Sequence, residues 1–418
     1  MIDPETVAMS RQSERRWLLA ILALALIARI VVVSIVSRPL VSDSAAYMEM
    51  ARTLIQTDRM VDSYGNQVLY SPGYPFALAL PFALFGVSAR VAVLTNILLG
   101  AVATGLVWRL ARIATGRAVP ALLAAAGFAV LIPAVAQTPE LAREHVSTPL
   151  LLLYLLACLM LVRSPRPGRW VLVGGLAFGF GLLAGVSSIF TGIVLPVAVL
   201  LRRAGWVQRA GIVAAFTGAT ALLIVPWLIH VDHVIGRPMM SANGGINLYI
   251  GNNPAATGYF VPIDRTPIGP HWHRLRAQLG ELGLDDLLKR EASAWMRADP
   301  VRTAALDARK LVYFWLPDVP DAEDEDAGTP LALIRWVGVV QHLLILALAI
   351  VAVARWRRLA TGARLLVLAV LAFWAIHGIV YMITRYRAPA MPLMIVLAAI
   401  PVADGLARRR GGQAVSAV

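Results

Sequence analysis

Long apolar runs that alternate with short arginine clusters constrain this chain more than any other feature of its sequence. About ten runs approach the ~20 residues that an α-helix needs to cross a bilayer. The 418 residues are 59% hydrophobic and only 15% charged, and a water-soluble domain could not cover that much apolar surface. The sequence therefore predicts an all-α polytopic membrane protein with about ten transmembrane helices.

The arginine clusters predict the orientation of these helices. The formal charge of +14 resides largely in short basic segments between apolar runs, as the positive-inside rule requires, and this pattern argues against nucleic acid as a partner. The charge pattern instead predicts membrane lipids as partners. Both termini are expected on the cytoplasmic side. No small-residue cleavage site follows the first apolar run, so we expect that run to be retained as a membrane anchor.

This topology divides the chain into three regions. Residues 1–228 form an N-terminal transmembrane module that contains a first outer loop, residues 38–88. Residues 229–330 form a large outer loop, and residues 331–418 form the C-terminal transmembrane helices. In the first loop, helical spacing from Ser44 to Gln56 predicts a helix on the membrane surface. The apolar run PFALALPFALFG is too short to cross the bilayer and predicts an interfacial or re-entrant helix.

Asp43 is the candidate catalytic residue. It lies a few residues beyond the first apolar run, where an enzyme acting on a membrane-embedded substrate would place a base. A second interpretation makes Asp43 the N-cap of the surface helix, and the two roles are compatible. Tyr47, one helical turn further on, is expected to line the same cleft, and Tyr74 in the same loop is another candidate substrate contact.

Two arginines break the charge rule. Arg385 and Arg387 flank Tyr386 on the predicted outer face, where two guanidinium groups could bind the phosphate of a lipid phosphate. The alternative is that they extend from the end of a span toward water. Lys310 could add a third positive charge, or could lie on a solvated helix face. Arg29, inside the first span, is expected to face protein or water.

The remaining candidates come from two loops. Glu144 and His145 follow the third predicted span and could contact a sugar or form an ordinary hydrated loop. The segment GGINLYIGNNPAATGYF is rich in glycine and amides, which suit hydroxyl recognition, and it offers Asn243, Asn252 and Asn253. The histidine pairs lack matching acids and Cys158 is the only cysteine, so we predict no cofactor, and a divalent metal has no supporting ligand pattern.

Several motifs resemble those of the GT-C superfamily of polytopic glycosyltransferases, specifically bacterial relatives of protein O-mannosyltransferases and lipid A aminoarabinose transferases. They are SDSAAYMEMARTL with SPGYPFALALPFALFG, TPELAREHVSTPLLLLYLLA, INLYIGNNPAATG, ARKLVYFW and ITRYRAPAMPLMIVLAA. The resemblance implies a GT-C type helix bundle. It also implies that the catalytic acid is Asp43, that the glutamate of the next outer loop is Glu144 rather than Glu140, and that the late arginines are Arg385 and Arg387. The chain departs from aminoarabinose-type relatives at GVSSIF, where they carry a lysine.

The resemblance implies an inverting glycosyltransferase of the bacterial cytoplasmic membrane. It would move a sugar from a polyprenyl-phosphate donor to a glycan, lipid or protein acceptor on the outer face. Two other interpretations remain open: a transporter or flippase of lipid-linked sugars, and a non-catalytic subunit of an envelope assembly complex. A transporter needs polar groups near the bilayer midplane on several spans, whereas the charges here gather at the predicted outer ends.

Overall fold

The computed structural model describes residues 9–319 and 329–416, so the acidic run within residues 320–328 of the predicted outer loop lies outside the described residues. The described part is helical, with an isolated β-bridge between Tyr259 and Met382. Its α-helices, in chain order, are α1 (Arg11–Ile35), α2 (Ser42–Thr57), α3 (Gly73–Phe85), α4 (Ala89–Thr115), α5 (Ala118–Ala129), α6 (Ile132–Ala136), α7 (Glu144–Arg163), α8 (Gly168–Ala184), α9 (Val194–Leu201), α10 (Trp206–Ile235), α11 (Gly244–Gly251), α12 (Trp272–Ala298), α13 (Pro300–Tyr313), α14 (Thr329–Ala354), α15 (Thr361–Ala375) and α16 (Met391–Ser416).

Each apolar run that was predicted to cross the membrane forms a helix or a pair of helices, which confirms the all-α polytopic class. In the described residues, 7 helices are long and apolar enough to span a bilayer, namely α1, α4, α7, α10, α14, α15 and α16. The helices α5 and α8 and the segment Val186–Leu201 are apolar but shorter. The predicted third span, for example, breaks into α5 and the short α6. The number of crossings and the division into three regions therefore stay predictions.

Helix α7 lies at the centre of the bundle. In the most apolar 18-residue stretch of α7, 72% of the residues are buried, compared with 17% in the corresponding stretch of α1 at the edge. Tyr154 of α7 is fully buried in the largest cluster of core side chains, which also receives residues from α4, α8, α15 and α16. Because α7 is central, the loop that leads into it lies centrally at one end of the bundle.

A second buried cluster fixes the two short helices of the first loop. Tyr47 of α2 and Tyr74 of α3 pack with Leu141, Leu183 and Trp227, which lie before α7 or near the ends of α8 and α10. The Ser44 hydroxyl also donates a 3.2 Å hydrogen bond to the Leu141 carbonyl. The first turn of α2 is thereby held against the loop that leads into α7.

The large loop is tied to this end of the bundle as well. The Glu281 carboxylate of α12 accepts bonds of 2.7 and 2.8 Å from the backbone N–H groups of Gln67 and Val68. The Phe260 N–H donates to the Met382 carbonyl at 3.0 Å, beside the isolated bridge. These contacts bring the first loop, the large loop and the segment before α16 together.

Close packing of α8 against α10 yields a test of the fold. A Cβ at Gly175 would lie 2.7 Å from the Ala219 Cβ and from the Phe216 carbonyl oxygen, so the two backbones approach only because residue 175 is glycine. We expect Gly175→Val to lower the free energy of unfolding by about 1–3 kcal/mol. Thermal unfolding in detergent measures this. Gly211→Ala on α10 is the control, because nothing lies within 4 Å of its Cβ position; equal loss in both variants would contradict the packing.

Candidate active site

An acid from the first loop meets an arginine from near the end of the chain. The Asp43 carboxylate in the first turn of α2 accepts a short hydrogen bond from Nη2 of Arg385. Nη1 of Arg385 donates to Oε1 of Glu140 at 3.0 Å, so the guanidinium joins two carboxylates. Segments separated by more than two hundred residues are thus held together by one side chain.

The N-cap interpretation of Asp43 is wrong. Helix α2 begins at Ser42 and its N-cap is Val41, which makes no side-chain cap hydrogen bond, while the Asp43 carboxylate faces Arg385. Ser42 has a φ of 49°, in the left-handed region that residues other than glycine rarely adopt. Strained backbone of this kind persists where surrounding contacts over-determine it, and it clusters at functional sites.

Arg385 stays positively charged in this setting. Burial disfavours its charge, but the Glu144 and Asp43 carboxylates outweigh burial and raise its pKa above the usual value. The guanidinium also lies 5.9 Å from the centre of the Tyr386 ring, near enough for a cation–π contact. Its Nε is buried with no hydrogen-bond partner among the described residues. Arg385 is therefore a fixed cation that orients Asp43.

Arg143 is a second cation at the site, and the sequence analysis did not select it. Its Nε lies 3.4 Å from Oε1 of Glu144, and its guanidinium lies 5.2 Å from the centre of the Tyr386 ring. Burial lowers its pKa, but the negative charge of Glu144 outweighs burial, so the pKa stays above its ordinary value. In the described part of the chain, its two terminal nitrogens have no hydrogen-bond partner. The sequence did contain a signal for Arg143, because Arg143 is another arginine on the predicted outer face.

Tyr47 and Tyr74 support the site from behind. Their ring centres are 5.4 Å apart in an edge-to-face contact, and both side chains are buried. The Tyr74 hydroxyl donates to Oδ1 of Asn96 at 2.7 Å, and the Asn96 amide donates to the Glu140 carbonyl at 3.0 Å. Burial raises the pKa of Tyr47, which therefore stays neutral. Both tyrosines lie near the acids of the site, and their contact with a substrate stays a prediction.

His145 holds the loop that carries Glu140. Its Nε2 lies 3.1 Å from the carbonyl oxygens of both Gln137 and Glu140. Carbonyl oxygens only accept, so Nε2 carries the proton. His145 thus lies with Glu144 and Glu140 at the start of α7, but its contacts are with the backbone.

Lys310, Asn252 and Asn253 form a separate buried group. Nζ of Lys310 donates to Oδ1 of Asn252 at 2.8 Å and to Asp307 at 2.9 Å. The amide of Asn252 donates to the carbonyls of Leu248 and Ile379, each at 2.9 Å. Asn253 likewise donates to the Tyr249 carbonyl at 2.8 Å. Lys310 is fully buried, which excludes the solvated-face interpretation, and burial lowers its pKa.

Arg387 does not join Arg385 in a cation pair. It is 4% exposed, and its Nη1 donates to the carbonyl oxygens of Phe314, at 2.7 Å, and Leu316. Burial lowers its pKa to about 10. These contacts fix the end of α13 against the turn before α16. Asn243 precedes α11, and its side-chain oxygen accepts a 2.9 Å bond from the Ser241 hydroxyl.

The acids of the site do not form a recognisable metal centre. Among residues 9–319 and 329–416, no group of three or more His, Cys, Asp or Glu side chains lies close enough to hold a metal ion. Carboxylates and guanidiniums alternate in the site.

Comparison with known proteins agrees with this architecture. Residues 70–230, less than half of the chain, match the family model described as dolichyl-phosphate-mannose-protein mannosyltransferase. No curated protein matches the sequence.

Two solved structures of one archaeal enzyme share the fold. One is the oligosaccharyltransferase AglB from Archaeoglobus fulgidus in complex with an inhibitory peptide and a dolichol-phosphate; it has a TM-score of 0.52 at 14% identity, with 96% of this chain covered. The apo form of the same archaeal enzyme has a TM-score of 0.55 at 13% identity, with 95% of this chain covered. In both cases this chain spans 52% of the length of the archaeal protein. ArnT from Cupriavidus metallidurans bound to undecaprenyl phosphate matches at 16% identity and a TM-score of 0.47, covering 91% of this chain and 77% of ArnT.

The contacts of Asn252 predict a structural role that can be tested. Asn252→Ala would leave the buried Lys310 ammonium without an amide partner and two carbonyls without a donor. We expect the free energy of unfolding to fall by about 1–3 kcal/mol, measured as a lower unfolding temperature in detergent. Asn243→Ala, which removes a single bond, is the control. Unchanged stability together with a selective loss of substrate binding would instead indicate that Asn252 contacts the substrate.

Proposed function

We propose that this chain is a member of the GT-C superfamily and an inverting glycosyltransferase that takes its sugar from a polyprenyl-phosphate carrier. The transfer would occur on the outer face of the bacterial cytoplasmic membrane. The observation that carries the proposal is the contact of Asp43 with Arg385 and, through it, with Glu140. It joins a carboxylate base to a fixed cation directly above the transmembrane bundle.

The chemistry follows from these two groups. The hydroxyl of the acceptor gives its proton to Asp43 while its oxygen forms a bond to the anomeric carbon of the sugar. The bond between that carbon and the phosphate oxygen breaks on the opposite side, and the polyprenyl phosphate leaves with the electron pair. Attack from the side opposite the leaving group inverts the configuration at the anomeric carbon. Arg385 would release part of its contact with Asp43 as the acceptor enters.

Arg143 is the second group that we assign to the leaving phosphate. Its two terminal nitrogens have no hydrogen-bond partner within residues 9–319 and 329–416, and its side chain runs along Gly185, where a Cβ would lie 3.5 Å from Cδ of Arg143. Fixed donors aimed at developing negative charge are a large contribution to catalysis in a site that excludes water. Arg143 and Arg385, rather than Arg385 and Arg387, thus form the proposed phosphate clamp.

Glu144 is the proposed partner of a sugar hydroxyl. It is 6% exposed and lies beside Arg143 at the first turn of α7. The acceptor, a glycan, lipid or protein, would approach Asp43 from the side of the large loop. The charge distribution favours this enzyme over a transporter, because the acids and arginines of the site converge at one end of the bundle.

Removing the base tests the catalytic assignment. We expect Asp43→Asn to lower the transfer rate by about 10²–10⁴-fold while the protein still folds, since general-base help has this size. The measurement is transfer of labelled sugar from synthetic polyprenyl-phosphate donors by purified protein. Asp58→Asn is the control, because Asp58 is the C-cap at the other end of α2, with a φ of 54° that asparagine also tolerates. Full activity in Asp43→Asn would refute the role of the base.

The phosphate clamp is tested by Arg143→Gln. We expect a loss of kcat on the order of 10²-fold, the size seen when one fixed donor to a developing charge is removed. Arg90→Gln, at an exposed arginine in the first turn of α4, is the matched control for loss of one positive charge. If the two variants show the same activity with lipid-linked donors, Arg143 does not contact the phosphate.

A further inference from the structure

Arg29 is a buried charge inside a segment that is apolar enough to span the membrane. It lies on α1 six residues before the helix ends at Ile35, and its side chain is 2% exposed. At 1.5 Å per residue, this places it about 9 Å below the end of the helix. A charged side chain at such depth is costly unless it is paired, and it marks function more often than packing.

Most of the donors of Arg29 have no protein partner. Within the described residues, its one hydrogen bond runs from Nη1 to the Ala25 carbonyl of the same helix, at 3.0 Å. The guanidinium also lies 5.9 Å from the centre of the Phe128 ring. A guanidinium has five N–H donors, and one backbone carbonyl satisfies only one of them. The others require acceptors that are not backbone groups of α1.

A small cavity beside Arg29 contains an acceptor, the Glu144 carboxylate. Its volume is about 40 Å³, and its lining includes Arg29, Gln137, Glu144, His145 and Thr148. Nε2 of Gln137 is buried without a hydrogen-bond partner in the described residues, and the Glu144 side chain has one described hydrogen bond, from Nε of Arg143 at 3.4 Å. The rest of the lining is apolar and includes Leu99, Ala103 and Phe128. A cavity of this volume holds an ordered water where polar groups converge on it.

The shared cavity links Arg29 to a carboxylate of the site. Asp43, Glu140 and Glu144 all interact with Arg385, and Glu144 also contacts Arg143. Arg29 is the third cation, and Glu144 is the carboxylate that lines the same cavity. Buried charges are stable when they are paired and hydrogen-bonded.

We propose that Arg29 is a positioning residue for Glu144, joined to its carboxylate by water held in this cavity. The role rests on the proposed function, in which Glu144 binds a sugar hydroxyl. Arg29 would add a second positive charge beside Glu144 from the membrane side, while Arg143 contacts the same carboxylate through Nε alone. The terminal nitrogens of Arg143 then remain free for the donor phosphate.

A substitution at Gly100 tests the same cavity independently. Helix α4 passes so close to Arg29 that a Cβ at position 100 would lie 2.1 Å from Nε of the guanidinium. Gly100→Ala would therefore push the guanidinium out of its place without changing any charge. Its effect on transfer is expected to match that of removing the charge.

A double-mutant cycle tests the pairing of Arg29 with Glu144. We expect Arg29→Gln and Glu144→Gln each to lower transfer on the order of tenfold, equivalent to about 1.4 kcal/mol. The double variant should be no worse than Glu144→Gln alone, because residues that act as one unit are not additive. Arg29→Lys should restore part of the activity, and Gly100→Ala should reproduce the loss. Additive losses in the double variant would overturn the proposal.

Two controls separate this inference from the proposed function. Arg38→Gln removes a charge at an exposed position just beyond the same helix and should leave transfer unchanged. The unfolding temperature of the same variants is also measured in detergent, because this measurement needs no substrate. If the wild-type protein transfers no sugar, the proposed function fails, and coupling in unfolding still supports the Arg29–Glu144 pair. Absence of coupling in unfolding and in transfer overturns the pair.

Discussion

The ion pair between Asp43 and Arg385 is the interaction on which the architecture of the site depends. It joins the first turn after the first apolar helix to the turn before the last one, and Arg385 extends it to Glu140. Removing one partner of such a partly buried pair destabilises the protein, because the other partner is left as an unpaired charge. The contact therefore fixes how three loops from distant parts of the chain meet over the bundle.

The central position of α7 explains why these loops converge. Its N-terminal turn carries Glu144 and follows the loop with Glu140 and Arg143, so acids and cations are concentrated where the most buried helix begins. The aromatic packing of Tyr47 on Tyr74 holds α2 against this point. The fold thus places charges side by side at a helix end.

Sequence reasoning predicted the helices because hydropathy and arginine spacing report directly on burial in a bilayer. It also predicted that Asp43 and Arg385 would share a site, since an unusual acid and an unusual arginine at loop boundaries are visible as residue types. It could not predict the direction of side chains. Arg387 and Asn252 have suitable chemistry, but they point toward backbone carbonyls in the interior. Arg143 was missed because its neighbour Glu144 makes it look like half of an ordinary surface pair.

The central claim, that a lipid phosphate binds between Arg385 and Arg143 beside Asp43, is tested most directly by a cryo-EM structure of the protein in nanodiscs with a polyprenyl phosphate. The account predicts phosphate density within hydrogen-bonding distance of both guanidinium groups, with the lipid tail descending along the bundle. Phosphate density elsewhere, with the contact of Asp43 and Arg385 unchanged, would contradict it.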